Sequence, residues 1–169
     1  VGQAGGRSKI TPEFVGINWA HARIPDNAGK QPFSQRIIDG APDAYFATLP
    51  VNAMVAAMKQ VEIPAAVSYT AGTYVCNDVM YQVLHALATR FPETRGTFLH
   101  VPFATEQVAE KNAAVSEKNA AGEKGSAGEM FRPMPSMPLE MMTRGLQVAL
   151  EAALATDVDL ADSESGTTC

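Results

Sequence analysis

The feature that most constrains the fold is an alternation of short β-forming stretches with segments of helical period, most of them ended by a proline. Strands are predicted at 8–19, 45–49, 65–70 and 97–101, and helices at 50–63, 77–90 and 138–154. Residues 24–44 contain repeated Gly and Pro and are predicted to form a loop. Strands that alternate with helices are typical of βαβ units, so we predict an α/β fold around a mostly parallel, twisted sheet.

Each predicted helix carries an apolar stripe, which is the face expected to pack on the sheet. The stripes consist of Val51, Met54, Val55 and Met58 in the first helix, Val79, Val83, Leu84 and Leu87 in the second, and Leu139, Met142, Leu146, Leu150 and Leu154 in the last. Pro50 and Pro138 stand in the opening turns, where the missing N–H of proline is tolerated.

Residues 109–128 differ in composition from the rest of the chain. The stretch 109–114 nearly recurs at 116–121, and both are rich in Glu, Lys and Ala. Such a segment buries little apolar surface, so we expect a mobile, solvated insert over about 109–135, with an ordered lid or subunit contact as the alternative. The predicted organisation is one catalytic domain over 1–156 and a disordered tail over 157–169.

Charge and cysteine content narrow the classes of function. The chain has 13 basic and 18 acidic residues, a net charge of −5 and a pI near 5.1. This balance argues against nucleic acid or an anionic membrane as a partner. Two cysteines in 169 residues do not indicate a disulfide scaffold, which favours a reducing, cytoplasmic setting. The chain starts without Met and as if in a turn, so we expect further sequence upstream.

Cys76 is the first candidate for chemistry. It follows a predicted strand and a short loop, and it opens a predicted helix. The N-terminus of a helix offers free N–H groups and the positive end of the dipole, and both stabilise a thiolate and an oxyanion. A buried, inert cysteine is the alternative interpretation of the same pattern. Cys169 ends a polar tail.

His100 and Glu13 are the partners that a cysteine nucleophile requires. His100 stands at the carboxyl end of a predicted strand, the edge at which parallel sheets build their sites. Glu13 is a carboxylate in an otherwise apolar strand. Taken alone, each has a structural interpretation: a satisfied histidine and a charge that faces water on an edge strand. Together with Cys76 they supply a nucleophile, a base and an orienting acid.

Several ordered motifs then resemble one family. They are GQAGGR at 2–7 with Glu13, Asn18, ARIPDN at 22–27 with Gly29 and Gln31-Pro32, SYTAGTYVCN at 68–77, and FLHVP at 98–102. In this order and spacing the motifs resemble the pyroglutamyl peptidase family of cysteine peptidases. The resemblance covers residues 1–103 and resumes at 136–154.

The resemblance implies a three-layer α/β/α sandwich and hydrolysis of the bond after an N-terminal pyroglutamate of a peptide. It implies Cys76 as nucleophile, His100 as general base and then acid, and Glu13 as the residue that orients His100. It also implies frequent assembly into homotetramers. The residues expected to line the pyroglutamyl pocket are Gln3, Arg23, Ile24, Tyr74 and Val75. No cofactor or metal is expected, since the three histidines show no ligand spacing.

Three features depart from the family pattern. About the first third of the usual chain is absent, including a loop that closes the ring pocket; His21 stands where the family often has Asp; and the insert at 109–128 is long. Two alternatives therefore stay open at the level of sequence. One is a catalytically incomplete α/β remnant or interaction subunit that pairs through its sheet edge, and the other is another cysteine amidase on a similar sheet.

Overall fold

The computed structural model describes residues 1–120 and 134–161, with the backbone alone at 115–120. The strands are β1 (Gly2–Gln3), β2 (Thr11–Glu13), β3 (Val15–Ile17), β4 (Ala44–Phe46), β5 (Phe98–Val101), β6 (Phe103–Ala104) and β7 (Ser136–Met137). The helices are α1 (Val51–Gln60), α2 (Val75–Arg90), α3 (Thr105–Ala120) and α4 (Leu139–Ala155). Each predicted helix is present, and the loop predicted at 24–44 holds no regular element before β4.

The central sheet has the strand order β1-β5-β2. β1 runs parallel to β5, with Gly2 opposite His100, whereas β2 runs antiparallel, with Thr11 opposite His100. A second pair, β3 with β4, is antiparallel, and β6 with β7 is parallel. The sheet is therefore mixed rather than uniformly parallel.

The strand predicted at 65–70 is present only as two isolated parallel bridges to the β2 segment, Ile10 to Ala65 and Glu13 to Ser68. Two backbone hydrogen bonds join the segments: Ala66 N donates to Ile10 O at 3.2 Å, and Ser68 N donates to Pro12 O at 2.9 Å. A regular ladder would need one more donor between these bonds, from position 12. Proline has no N–H, so Pro12 interrupts the strand pairing.

Helices α1 and α4 pack together on one side of the sheet, and α2 packs on β3 and β4. This gives the three layers of an α/β/α sandwich. The core between α1, α4 and the sheet is formed by Ile10, Val51, Met54, Val55, Met58, Ile63, Ala65, Val67, Leu99, Met137, Met142, Val148, Ala149 and Ala153. The stripe predicted for α1 is entirely buried there.

The stripes predicted for the other two helices were partly wrong. Val79 and Val83 of α2 are exposed, whereas Asn77, Met80, Tyr81 and Leu84 are buried. Leu139, Leu150 and Leu154 of α4 are exposed, whereas Gly145, Ala149 and Ala153 are buried. The reason in α4 is close approach: a Cβ on Gly145 would lie 2.5 Å from the Cδ1 atom of Ile10. Small residues, not leucines, allow this backbone to reach the core.

Two segments expected to lack regular structure contain ordered parts. Residues 109–120 of the predicted insert belong to α3, and 121–133 lie outside the described residues. Near the start of the tail, for which disorder from 157 onward stays a prediction, the Asp159 carboxylate accepts hydrogen bonds from the backbone N–H groups of Asn52 and Ala53 at 3.1 and 3.0 Å. Asp159 thereby caps α1, whose own preceding residue, Pro50, offers no side-chain cap. Residues 162–169 lie outside the described residues.

None of the helices in the described ranges is both long and apolar enough to cross a membrane.

Candidate active site

Cys76 is the second residue of α2, which begins two residues earlier than the sequence pattern predicted. The first turn of this helix is fixed by Asn77, which is almost fully buried. The amide Nδ2 of Asn77 donates to the carbonyl oxygens of Ile17 and Trp19 at 2.9 and 3.0 Å, and its Oδ1 accepts from the N–H of Ile17 at 2.9 Å. These three bonds hold the helix start against the end of β3, and with it the half-buried thiol.

Glu13 and His100 form a buried pair. Glu13 is 0% exposed and His100 is 4% exposed. The Nδ1 atom of His100 lies 2.6 Å from Oε1 of Glu13. The edge-strand interpretation of Glu13, a carboxylate facing water, is therefore wrong. Segment 65–68 covers the outer side of β2.

Arg7 contacts the same carboxylate. Its Nη1 lies 2.6 Å from Oε1 of Glu13 and also donates to the hydroxyl of Thr11. Its Nη2 donates to the backbone carbonyl of Thr70 at 3.2 Å. A fully buried carboxylate is costly unless it is paired and hydrogen-bonded. Arg7 supplies a permanent charge at Oε1, whereas Oε2 of Glu13 is buried without a hydrogen-bond partner among the described residues.

Gly2 lies next to both the sulfur of Cys76 and β5, the strand that carries His100. A Cβ built on Gly2 would lie 3.4 Å from Sγ of Cys76 and 2.7 Å from Cζ of Phe98. Gly2 is also the register partner of His100 across the parallel β1–β5 pair. The missing side chain of Gly2 thus lets β1 approach the start of α2, and Cys76 lies beside the strand pair that carries His100.

Burial raises the pKa of the Cys76 thiol above its ordinary value, and the charge of Glu13 raises it further. The positive charge of Arg7 acts in the opposite direction but does not outweigh them. This direction runs against the prediction that the helix start holds the sulfur ionised, which stays a prediction. A thiol needs a base that accepts its proton before the sulfur can attack.

The five residues predicted for the substrate pocket lie in three places. Gln3 follows Gly2 on β1, and its Nε2 donates to Oε1 of Gln107 on α3 at 2.6 Å. Tyr74 and Val75 immediately precede Cys76, and the hydroxyl of Tyr74 donates to the carbonyl of Pro25 at 3.0 Å. That bond brings the segment of Arg23 and Ile24, both exposed, next to the segment that leads into α2.

A cavity of about 540 Å³ lies on the other flank of α2. It is lined by Tyr74, Val75, Asp78 and Gln82 together with residues of the loop 20–37. Neither Cys76 nor His100 is among its described lining residues. At helical spacing, Val75, Asp78 and Gln82 share a face that is turned away from that of Cys76. The cavity is therefore separate from the cluster around the sulfur.

Sequence reasoning about roles missed three residues of this site: Gly2, Arg7 and Asn77. Arg7 and Gly2 lie inside the motif at 2–7, and Asn77 follows the cysteine, but the motifs alone assign none of the three a role. An arginine six residues before a buried glutamate is a weak signal, because pairing depends on how the chain folds back. The spacing of residues along the sequence does not reveal that a glycine lies next to a cysteine in the folded chain.

An α/β/α sandwich with a cysteine at a helix start and a buried His–Glu pair beside it defines a hydrolase of the cysteine peptidase class. The sequence model of the family described as pyroglutamyl peptidase matches residues 1–156. The chain belongs to this family.

Curated relatives agree with this assignment. The pyrrolidone-carboxylate peptidase of Enterococcus faecalis is 44% identical over 168 residues, which cover 99% of this chain and 69% of the relative. The enzyme of the same name from Streptomyces coelicolor is 46% identical over 169 residues, covering 99% and 68%. The chain thus spans about two thirds of the length of these relatives.

Solved structures show the same fold. The pyroglutamyl peptidase I of Bacillus amyloliquefaciens matches with a TM-score of 0.78 at 38% identity, over 95% of this chain and 67% of that one. A mutant pyrrolidone carboxyl peptidase from Pyrococcus furiosus matches with a TM-score of 0.77 at 37% identity, over 92% and 67%.

Proposed function

We propose that this protein is a cysteine peptidase that hydrolyses the amide bond after an N-terminal pyroglutamate of a peptide and releases free pyroglutamate. The observation that carries the proposal is the 2.6 Å contact between His100 and the fully buried Glu13, beside the thiol of Cys76. Family membership supports the choice of bond, since relatives over nearly the whole chain bear the name pyrrolidone-carboxylate peptidase.

The contact between Glu13 and His100 determines the role of each nitrogen of the imidazole. Because Nδ1 lies against an ionised carboxylate, Nδ1 carries the proton and donates it to Glu13 as a hydrogen bond. Nε2 is then the unprotonated nitrogen, which is the base. It accepts the proton of Cys76, and Glu13 stabilises the resulting imidazolium.

The thiolate then attacks the carbonyl carbon that joins pyroglutamate to the next residue. Negative charge develops on the carbonyl oxygen, and the first N–H groups of α2, which lack acceptors within the helix, stabilise it. The imidazolium returns its proton to the leaving amine as the C–N bond breaks and a thioester forms. Water, deprotonated by His100, hydrolyses the thioester to pyroglutamate and the free thiol.

We assign recognition of the ring to Gln3, Arg23, Ile24, Tyr74 and Val75 on the basis of the family resemblance. The hydrogen bond from Nε2 of Gln3 to Gln107 leaves the Oε1 atom of Gln3 as an acceptor for the lactam N–H. A site that pairs with a lactam N–H and C=O discriminates against proline, because its polar groups would stay unpaired with that ring.

The proposal is tested with amides that release a fluorescent amine. The purified protein should cleave the pyroglutamyl amide and leave the prolyl and glutaminyl amides intact. Cys76→Ser should abolish cleavage while the circular dichroism spectrum is unchanged. Cys169→Ser, which removes the only other thiol of the sequence, is the matched control and should retain activity. Preference for the glutaminyl amide would instead indicate another cysteine amidase, and no cleavage of any amide would indicate a non-catalytic remnant.

We also propose assembly into a homo-oligomer, a tetramer by the family resemblance, and action in the cytoplasm on pyroglutamyl peptides. Two exposed apolar side chains on α2 support an interface: Val79 and Val83 lie four residues apart and are 44% and 46% exposed. Light scattering after size exclusion gives the mass of the assembly, and Val79→Lys should reduce that mass if this pair lies in the contact.

A further inference from the structure

We propose that Arg7 is a positioning residue of the catalytic site, which fixes the Glu13 carboxylate for His100 and links it to the loop that leads to Cys76. The inference deepens the proposed function and rests on it. Arg7 makes no described bond to the sulfur or to the imidazole, but it contacts the carboxylate that pairs with Nδ1 of His100.

The first argument is the shared oxygen. Arg7 Nη1 and His100 Nδ1 both lie 2.6 Å from the same atom, Oε1 of Glu13. Two donors that converge on one oxygen fix the position of that oxygen more tightly than one donor does, while Oε2 of Glu13 is buried without a hydrogen-bond partner among the described residues. Because β2 holds Glu13 with no exposure, the carboxylate cannot turn to water for other partners.

The second argument is the charge. A neutral His100 offers Glu13 a hydrogen bond but no positive charge, whereas the guanidinium is charged at every working pH. Arg7 is partly exposed, with 28% of its side chain accessible, while Glu13 is 0% exposed. Arg7 therefore sets a permanent positive charge against the Glu13 carboxylate before substrate chemistry begins, and it does so from the edge of the buried cluster.

The third argument is the link to the nucleophile. Arg7 Nη2 donates to the carbonyl of Thr70, in the loop that leads to Cys76. Neighbouring bonds hold that loop, including the bond from the N–H of Thr70 to the hydroxyl of Ser68 at 3.4 Å. One guanidinium thus spans the acid of the site and the segment before the sulfur, a task suited to its rigid fork of donors.

The charged and titratable groups around His100 define the expected pH effect. Glu13 contacts it from β2, and Arg7 acts through the shared carboxylate; Cys76, at the start of α2, lies near Gly2, the register partner of His100. The charge of Arg7 opposes protonation of His100 and competes for Oε1. When a neutral residue replaces Arg7, the negative charge of Glu13 interacts with the imidazolium of His100 alone. We therefore expect His100 of such a variant to stay protonated to higher pH, where it cannot act as a base.

The decisive variant is Arg7→Gln, which keeps a hydrogen-bonding side chain and removes the charge. In the pH profile of kcat/KM on the pyroglutamyl amide, the acid limb, where activity rises with pH, should lie at higher pH for this variant. At pH 5.5, kcat/KM relative to the plateau should fall by about tenfold compared with the unmodified protein. Arg36→Gln is the matched control, because Arg36 also pairs with a carboxylate, that of Asp43, at an exposed site. The control should keep the original profile.

A second variant covers the case in which Arg7→Gln does not fold. Arg7→Lys keeps the charge, but its single ammonium cannot hold Glu13 and Thr70 in the same fork. It should keep the acid limb and lose about threefold or more in kcat. An unshifted acid limb in Arg7→Gln, or an unchanged kcat in Arg7→Lys, overturns the inference.

A measurement without turnover separates this inference from the proposed function. The imidazole ¹⁵N signals of His100, followed against pH, should titrate at higher pH in Arg7→Gln than in the unmodified protein. If the unmodified protein cleaves no pyroglutamyl amide, the proposed function fails, while this titration still tests what Arg7 does to His100.

Discussion

Glu13 and His100 meet diagonally across two antiparallel strands: Glu13 is opposite Phe98 in the β2–β5 register, and His100 is opposite Thr11. Residues two apart on a strand share a face, so Glu13, Thr11, Phe98 and His100 all project to the same side. The carboxylate reaches along this diagonal to Nδ1. The ring of Phe98 meets that of His100 edge-on at 5.1 Å, which leaves the imidazole little freedom to rotate.

The diagonal contact predicts the effect of Glu13→Gln. Glutamine keeps the shape of the side chain but cannot stabilise an imidazolium, and its amide can force the opposite tautomer of His100. We expect kcat/KM to fall by about 10³- to 10⁴-fold. Steady-state kinetics on the pyroglutamyl amide checks this, with thermal unfolding as the control for folding. A loss of less than tenfold would show that Glu13 does not orient His100.

Gly2→Ala tests the close approach of β1 to the helix start. The added methyl group would lie 2.7 Å from Phe98 and 3.4 Å from the sulfur of Cys76, so the Phe98 ring or β1 must shift. We expect a loss of about 1–3 kcal/mol in the free energy of unfolding, together with a marked loss of kcat. Val1→Ala, at the exposed neighbouring position, is the control and should change neither quantity. Full activity in Gly2→Ala would contradict the described packing.

The reactivity of Cys76 gives a pH prediction. Burial and then Glu13 raise the pKa of its thiol, so at neutral pH a smaller fraction is thiolate than in a free cysteine. Alkylation by iodoacetamide should therefore increase with pH and reach half its maximum above the pH observed for free cysteine. Mass spectrometry of the Cys76 peptide follows the reaction. A midpoint below that of free cysteine would mean that the resting sulfur is ionised.

Asp159→Ala tests the cap that the chain supplies to α1 from near its other end. Without the carboxylate, the N–H groups of Asn52 and Ala53 lose their acceptor. We expect the free energy of unfolding to fall by about 1 kcal/mol, with kcat/KM unchanged because α1 carries no residue of the proposed site. Denaturant unfolding measures the change, and Asp157→Ala, an exposed acid two residues earlier, is the control. Equal stability of the two variants would contradict the capping role.

Local pattern was sufficient for three of the four described helices and for the strands within 11–17, 44–46 and 98–101, but not for α3, β1, β6 or β7. Apolar spacing and proline positions placed the ends of α1, α2 and α4 to within about three residues, close to the usual uncertainty at helix ends. The segment at 65–70 shows the limit of such reasoning. Its residues favour a strand, but the ladder depends on a donor that its partner, Pro12, does not have. Pairing is a property of two segments, and one segment alone does not reveal it.

The buried faces of the helices depended on what they pack against. Asn77 is buried in α2 while Val79 and Val83 are exposed, because the amide of Asn77 satisfies backbone groups of Ile17 and Trp19. A hydrophobic stripe predicts burial only when apolar contact decides the orientation. In α4 the need for close approach at Gly145 outweighed the attraction of burying leucines.

Residue type and spacing alone identify three of the four described helices, the family, and three candidates for chemistry: Cys76, His100 and Glu13. That Glu13 lies buried against His100, that Arg7 contacts the same oxygen, and that Gly2 leaves space beside the sulfur are consequences of the folded chain. The physical reason is that hydrogen bonds and close packing act over a few ångströms between residues that are far apart in the chain. Residue type and spacing encode what a side chain can do, and the fold decides which partner it meets.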